Sequence, residues 1–94
     1  MYGMWDYHST MNPTSIPYMV KSIGKDLEKS GHAIQRVTFG SRRWAEYTSL
    51  YDCPYNIVYD AEVERGLILF FENNLLRGRL KIDNLPSEER VPED

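Results

Sequence analysis

One cysteine, Cys53, is all that this 94-residue chain contains. It therefore holds no internal disulfide and no zinc site built on cysteine pairs. A buried, reduced thiol in a cytoplasmic setting is the expectation. Histidine is also scarce, with only His8 and His32. Neither is tied by a motif to a serine or cysteine nucleophile, although Asp6 stands two residues before His8. His32 follows a helix stop, where a cation near the last carbonyls is ordinarily structural. There is no glycine-rich phosphate loop and no metal-ligand spacing. No apolar run approaches the length of a membrane span, and no charged-then-apolar signal segment opens the chain. Excess positive charge is missing too: the formal net charge is −3. Glu88, Glu89, Glu93 and Asp94 against Arg90 put all of that charge in a C-terminal tail. The body is near neutral, which argues against non-specific nucleic-acid binding.

What is present is a folding composition, 41% hydrophobic and 13% aromatic, on a scale that suits one domain. Residues 1–13 form an arm rich in aromatics and methionine (Met1, Tyr2, Met4, Trp5, Tyr7, Met11) with no clean period. Leaving Trp and Met in water is costly, so the arm is expected to dock on its own domain or on a second copy. Residues 14–86 read as a single α+β domain, and residues 87–94 as an acidic, disordered tail.

Ser15 is placed to cap a helix with Pro17 in its first turn. Ile16, Met19, Val20, Ile23 and Leu27 then form one apolar stripe, and Ser30-Gly31 supplies the stop. Gly24 weakens that helix by about 1 kcal/mol relative to alanine. Residues 33–39 and 55–59 read as strands. Between them, residues 42–51 suit either a helix face (Trp44, Tyr47, Thr48, Tyr51) or a strand (Tyr47, Ser49, Tyr51), and a second, short helix is preferred. The architecture expected is one amphipathic helix packed on an antiparallel sheet of about four strands, closed by a C-terminal β-hairpin.

The hairpin runs through Gly66-Leu67-Ile68-Leu69-Phe70-Phe71, Asn73-Asn74, and the alternating Leu75 to Ile82. A two-residue Asn73-Asn74 turn with positive φ sets Phe71 opposite Leu76, Leu69 over Gly78 and Leu67 opposite Leu80. Leu67, Leu69, Phe71, Leu76, Leu80 and Ile82 then lie under the helix. The other face becomes Ile68 and Phe70 bordered by Arg77, Arg79 and Lys81.

That basic-flanked face is the leading candidate for a binding surface, joined by Trp5, Tyr7, Arg42, Arg43 and Tyr59. Aromatics, Met and Arg are enriched at protein–protein contacts. With catalytic motifs missing, the functional expectation is a non-enzymatic interaction protein needing no cofactor or metal. It would bind or block a macromolecular partner or self-associate, in the manner of small phage or mobile-element inhibitors, a comparison resting on analogy. Arg77, Arg79 and Lys81, spaced roughly 6–7 Å apart on one strand face, support an alternative, a nucleic-acid module that uses Tyr55 or Tyr59 for stacking. A distant third reading is a small metal-dependent hydrolase that gathers a divalent cation at Asp60, Glu62 and Glu64, which alternate on one strand face.

Overall fold

Asn12 begins the ordered entry to the first helix: its side-chain Oδ1 accepts from the backbone N of Thr14 at 2.9 Å and nucleates a 3₁₀ turn over Pro13–Ser15. The structure, a computed structural model, describes residues 5–83 and 85. Helix α1 follows over Ile16–Lys29 and buries Ile16, Met19, Val20, Ile23 and Leu27, the stripe that its spacing dictates. Ser15 occupies the cap position, but its side chain makes no capping hydrogen bond; the preceding 3₁₀ turn takes over that role. The helix closes in a Schellman arrangement. Gly31 adopts φ 97°, His32 N donates to Leu27 O at 3.0 Å, and Gly31 N donates to Glu28 O at 3.0 Å.

Two βαβ-like passages carry the chain across one sheet. Strand β1 is Trp5–Ser9, β2 is Arg36–Phe39, β3 is Asn56–Tyr59, β4 is Leu67–Glu72 and β5 is Leu75–Ile82; helix α2, Arg42–Ser49, joins β2 to β3. The spatial order is β1-β5-β4-β2-β3. The α+β class holds, with a fifth strand contributed by the N-terminal arm. The sheet is mixed instead of wholly antiparallel, because β1 runs parallel to β5 and β2 parallel to β3. A helix connects β2 to β3, and a helical crossover delivers a parallel neighbour where a hairpin delivers an antiparallel one. Met1, Tyr2, Met4 and the acidic tail lie outside the described residues.

Register in the hairpin is where the structure departs most from expectation. Near the turn the pairs are Glu72 with Leu75 and Phe71 with Leu76, as the two-residue loop requires, and Asn73 has φ 56°. Then the ladder slips: Phe70 pairs with Gly78, Leu69 with Arg79, Ile68 with Leu80 and Leu67 with Lys81. Arg77 is the extra residue of a β-bulge. One residue of slip turns every later β4 side chain to the opposite face. Ile68 and Phe70, expected on the outer face, are 2% and 0% exposed in the core. Leu67, Leu69 and Phe71 are only half-buried and lie on the outer face.

The core is one cluster between the helices and a single face of the sheet. Ile16, Val20 and Leu27 meet Val37, Phe39, Phe70 and Leu80, with Trp44, Ala45 and Tyr55 closing the α2 side. Each such side chain contributes roughly 1.5–3 kcal/mol on full burial. Gly78 lies directly beneath α1, where an added Cβ would stand 3.1 Å from Leu27 Cδ1; the glycine lets helix and sheet approach. Gly24 has a similar purpose on the helix itself, since a Cβ there would run into the Tyr55 ring. The helix propensity lost at Gly24 is thus exchanged for a buried tyrosine.

Tyr55 carries a titration signature. Burial, then the negative charge of Glu28, push its phenol from the ordinary 10.0 up to about 12. Folding raises this pKa, so the contribution to stability is intact below pH 10 and disappears as pH climbs through about 12. Alkaline unfolding followed by circular dichroism is expected to steepen over that window. Tyr55→Phe is expected to flatten it, and an unchanged profile would show that the phenol ionises without cost to the fold.

Candidate functional site

Both helices pack against one face of the sheet, so among the described residues the opposite face carries no helical layer. By strand alternation it presents Asp6 and His8 from β1, Arg79, Lys81 and Leu76 from β5, Leu67, Leu69 and Phe71 from β4, Arg36 and Thr38 from β2, and Val58 from β3. The bulge places the half-buried leucines and Phe71 alongside the cations, making the apolar strip broader than the two side chains expected from sequence.

The charges on this face are held in defined positions. Arg79 Nε donates to Asp6 Oδ1 at 2.9 Å, tying β5 to β1. His8 Nε2 stands 2.6 Å from Asp83 Oδ2 at the end of the same pair of strands. The Arg36 guanidinium lies over the Phe71 ring, 4.3 Å from its centroid, while its Nε donates to Thr38 Oγ1 at 3.3 Å. Neither Arg36 nor Lys81 has a carboxylate partner among the described residues. Two shallow depressions interrupt the face. One, about 290 Å³, lies among Asp6, His8, Glu64, Leu67, Arg79 and Lys81. The other, about 270 Å³, lies among Arg36, Val58, Asp60, Val63, Leu69 and Phe71.

Arg77 does not belong to this group. The bulge turns it to the helix side, where its Nε donates to Glu72 Oε1 at 2.9 Å. The other Glu72 oxygen accepts from the backbone N of Ala33 at 3.2 Å, and His32 Nδ1 stands 3.5 Å from Oε1. The Ala33 N–H, followed by Arg77, holds the Glu72 carboxyl below the usual glutamate range. This is a clasp joining the hairpin to the end of α1.

The remaining sequence candidates scatter. Arg42 is exposed and pairs with Glu46 at 3.3 Å, one helical turn on. Arg43 stacks on Trp44 at 4.9 Å. Trp5 is exposed on β1, and Tyr7 is half-buried with its hydroxyl donating to Asp26 Oδ2 at 3.3 Å; burial, then Asp26, raise its pKa. Tyr59 is exposed at the β3 edge. Cys53 is a free thiol, half-buried and not buried as expected. Asp60, Glu62 and Glu64 do not alternate on a strand, because residues 60–66 turn: Asp60 Oδ1 accepts from Glu62 N at 2.9 Å. An Asx turn displaces the extended conformation there.

A third, larger depression of about 450 Å³ lies along α2 among Thr14, Arg43, Trp44, Glu46, Tyr47 and Leu50. Its walls are an edge-on aromatic series, Trp44 to Tyr47 at 5.1 Å and Tyr47 to Tyr51 at 5.2 Å between centroids. Its charged rim is internally engaged by the Arg42–Glu46 pair and the Arg43–Trp44 stack. The helix-free face is therefore the stronger candidate. Sequence reasoning placed its leucines and Phe71 in the core and did not single out Val58 or Val63. No helix among the described residues is long and apolar enough to cross a membrane.

Comparison with protein-family models, with curated proteins and with solved structures finds no match to this chain.

Proposed function

We propose that this chain is a non-enzymatic interaction protein that docks a protein partner on the helix-free face of its sheet. The observation that carries the reading is the juxtaposition of Leu67, Leu69 and Phe71 with Arg36, Arg79 and Lys81 on one uncovered face. Sheets ordinarily bury both faces or expose a polar one. A face with apolar centre and cationic rim matches a partner surface with apolar side chains ringed by Asp and Glu. Neither Arg36 nor Lys81 has a carboxylate of its own in the described chain, which supplies the charge complementarity.

The nucleic-acid alternative loses its main support. Its three cations at strand spacing are reduced by the bulge, which sends Arg77 to the other side, and by Asp6, which engages Arg79. The protein reading is tested by affinity capture from source cells with wild-type chain and with Leu69→Asp, Lys81→Glu and Leu50→Asp variants. A partner that loses at least tenfold in affinity, about 1.4 kcal/mol, with the first two variants but not the third is the expected result. Loss confined to Leu50→Asp, or oligonucleotide binding that weakens steeply with salt, overturns it.

A further inference from the structure

Strand β3 ends the sheet on the side away from β1, and its outer edge is chemically bare. In the parallel ladder, Asn56 N donates to Gln35 O at 2.9 Å and Asp60 N donates to Phe39 O at 3.0 Å. Alternation gives Val58 the same inward direction, so Ile57 and Tyr59 aim their backbone N–H and C=O away from the sheet. Edge strands are normally guarded by charges, proline, bulges or a covering element. Asn56-Ile57-Val58-Tyr59 has no charge, proline or bulge, and shortness is its one protection. The opposite edge differs: β1 carries Asp6, ion-paired to Arg79, and His8, whose Nε2 stands 2.6 Å from Asp83 Oδ2.

We propose that a second copy of this chain adds to that edge, β3 pairing antiparallel with β3 of its mate about a twofold axis through Val58. In that register Ile57 of each copy faces Tyr59 of the other, and the outward groups of both residues complete four backbone hydrogen bonds. Val58 meets its own counterpart on the open face. Asn56 falls opposite Asp60, an amide facing a carboxylate, and no like charges are opposed. The Ile–Tyr pairs are of the β-branched–aromatic kind that stabilises sheets. Four residues of strand alone bury too little for a stable interface, which needs on the order of 1,200 Å² or more. The additional apolar surface is at hand. Tyr59 is 44% exposed, and Leu50 and Tyr51, at the end of α2 that leads back to β3, are 82% and 45% exposed. A twofold pairing closes on itself and leaves no further β3 edge to propagate. The proposal rests on the β3 edge, shares only Val58 with the open-face site and uses none of its cations.

Sedimentation velocity of the full chain over a range of concentrations tests this. Wild type is expected to dimerise, and Ile57→Pro to raise the dimer dissociation constant at least tenfold. Ile57 donates no hydrogen bond within its own sheet, so proline there spares the β2–β3 ladder while removing the outward N–H and the part of the side chain packed on the core; circular dichroism is expected to stay native with a lowered melting temperature. Val58→Lys, which opposes two ammonium groups at the axis, is expected to dissociate the dimer in low salt and to recover part of it in high salt. It also decides the matter if Ile57→Pro does not fold. A wild-type monomer at every concentration, or a dimer indifferent to the folded variants, overturns the proposal.

Discussion

Phe70→Ala is expected to lower the unfolding free energy by about 3–5 kcal/mol, the range for emptying a buried phenylalanine site. Leu69→Ala, one residue away, is expected to cost about 1 kcal/mol, since part of that side chain already meets solvent. Phe70 has no exposed surface and packs in the cluster that includes Leu27, Val37 and Leu80. In a domain of this size the larger loss lowers Tm by more than about 10 °C and consumes much of a marginal stability. Chemical denaturation of the two variants checks the ranking. A hairpin without the bulge at Arg77 reverses it, because Leu69 then lies beneath α1 and Phe70 outside. Equal effects would place both side chains at the rim of the core.

Gly40→Ala is expected to be nearly as damaging, by about 2–3 kcal/mol, and to weaken partner binding as well. A Cβ at Gly40 collides with the backbone carbonyl of Glu64 and crowds that of Val63. Main chain cannot swing aside as a side-chain tip does, so the 60–66 turn must move or β2 must bend. Gly40 N also donates to Leu67 O at 3.1 Å, which fixes the end of β2 against β4. Val63 and Glu64 each border one of the depressions on the open face. Displacing them alters both at once, and an affinity loss of at least tenfold should accompany the lower melting temperature. A variant with unchanged melt would mean that the turn is loosely seated.

The helices were legible because their signals are local. Pro17 in the first turn, the stripe from Ile16 to Leu27 and the glycine at position 31 each act within a few residues. The shorter helix was legible in Trp44 and Thr48 at helical spacing, and Ser41 Oγ accepts from Trp44 N at 3.3 Å to start it. The facing of β4 was not legible. Leu67 through Phe71 is apolar at every position, so period-two alternation carries no parity there, and the facing rested wholly on counting from the turn. The count gives Phe71 its right partner but the wrong face, for Phe71 and Leu76 as for Leu67 and Leu69, because nothing in Leu76-Arg77-Gly78 announces the extra residue that leaves Leu80 and Ile82 inside while Leu76 turns out. In β5, where charged and apolar residues do alternate, Leu80 and Ile82 fall inside as expected. The ion pairs were hidden for a related reason. The partner of Arg79, Asp6, is 73 positions away, beyond the reach of any local pattern.

That same distance governs how the molecule assembles. β1 and β5 are the first and last strands along the chain, yet they lie side by side. The edge they form cannot exist on a ribosome until β5 has emerged, so Trp5 and Tyr7 wait unpaired until then. Closing so long a loop is slow relative to forming α1 or the hairpin. An N-terminal segment of methionine and aromatics left waiting in this way is an obvious client for a chaperone, and refolding in vitro should be limited by the arrival of β1.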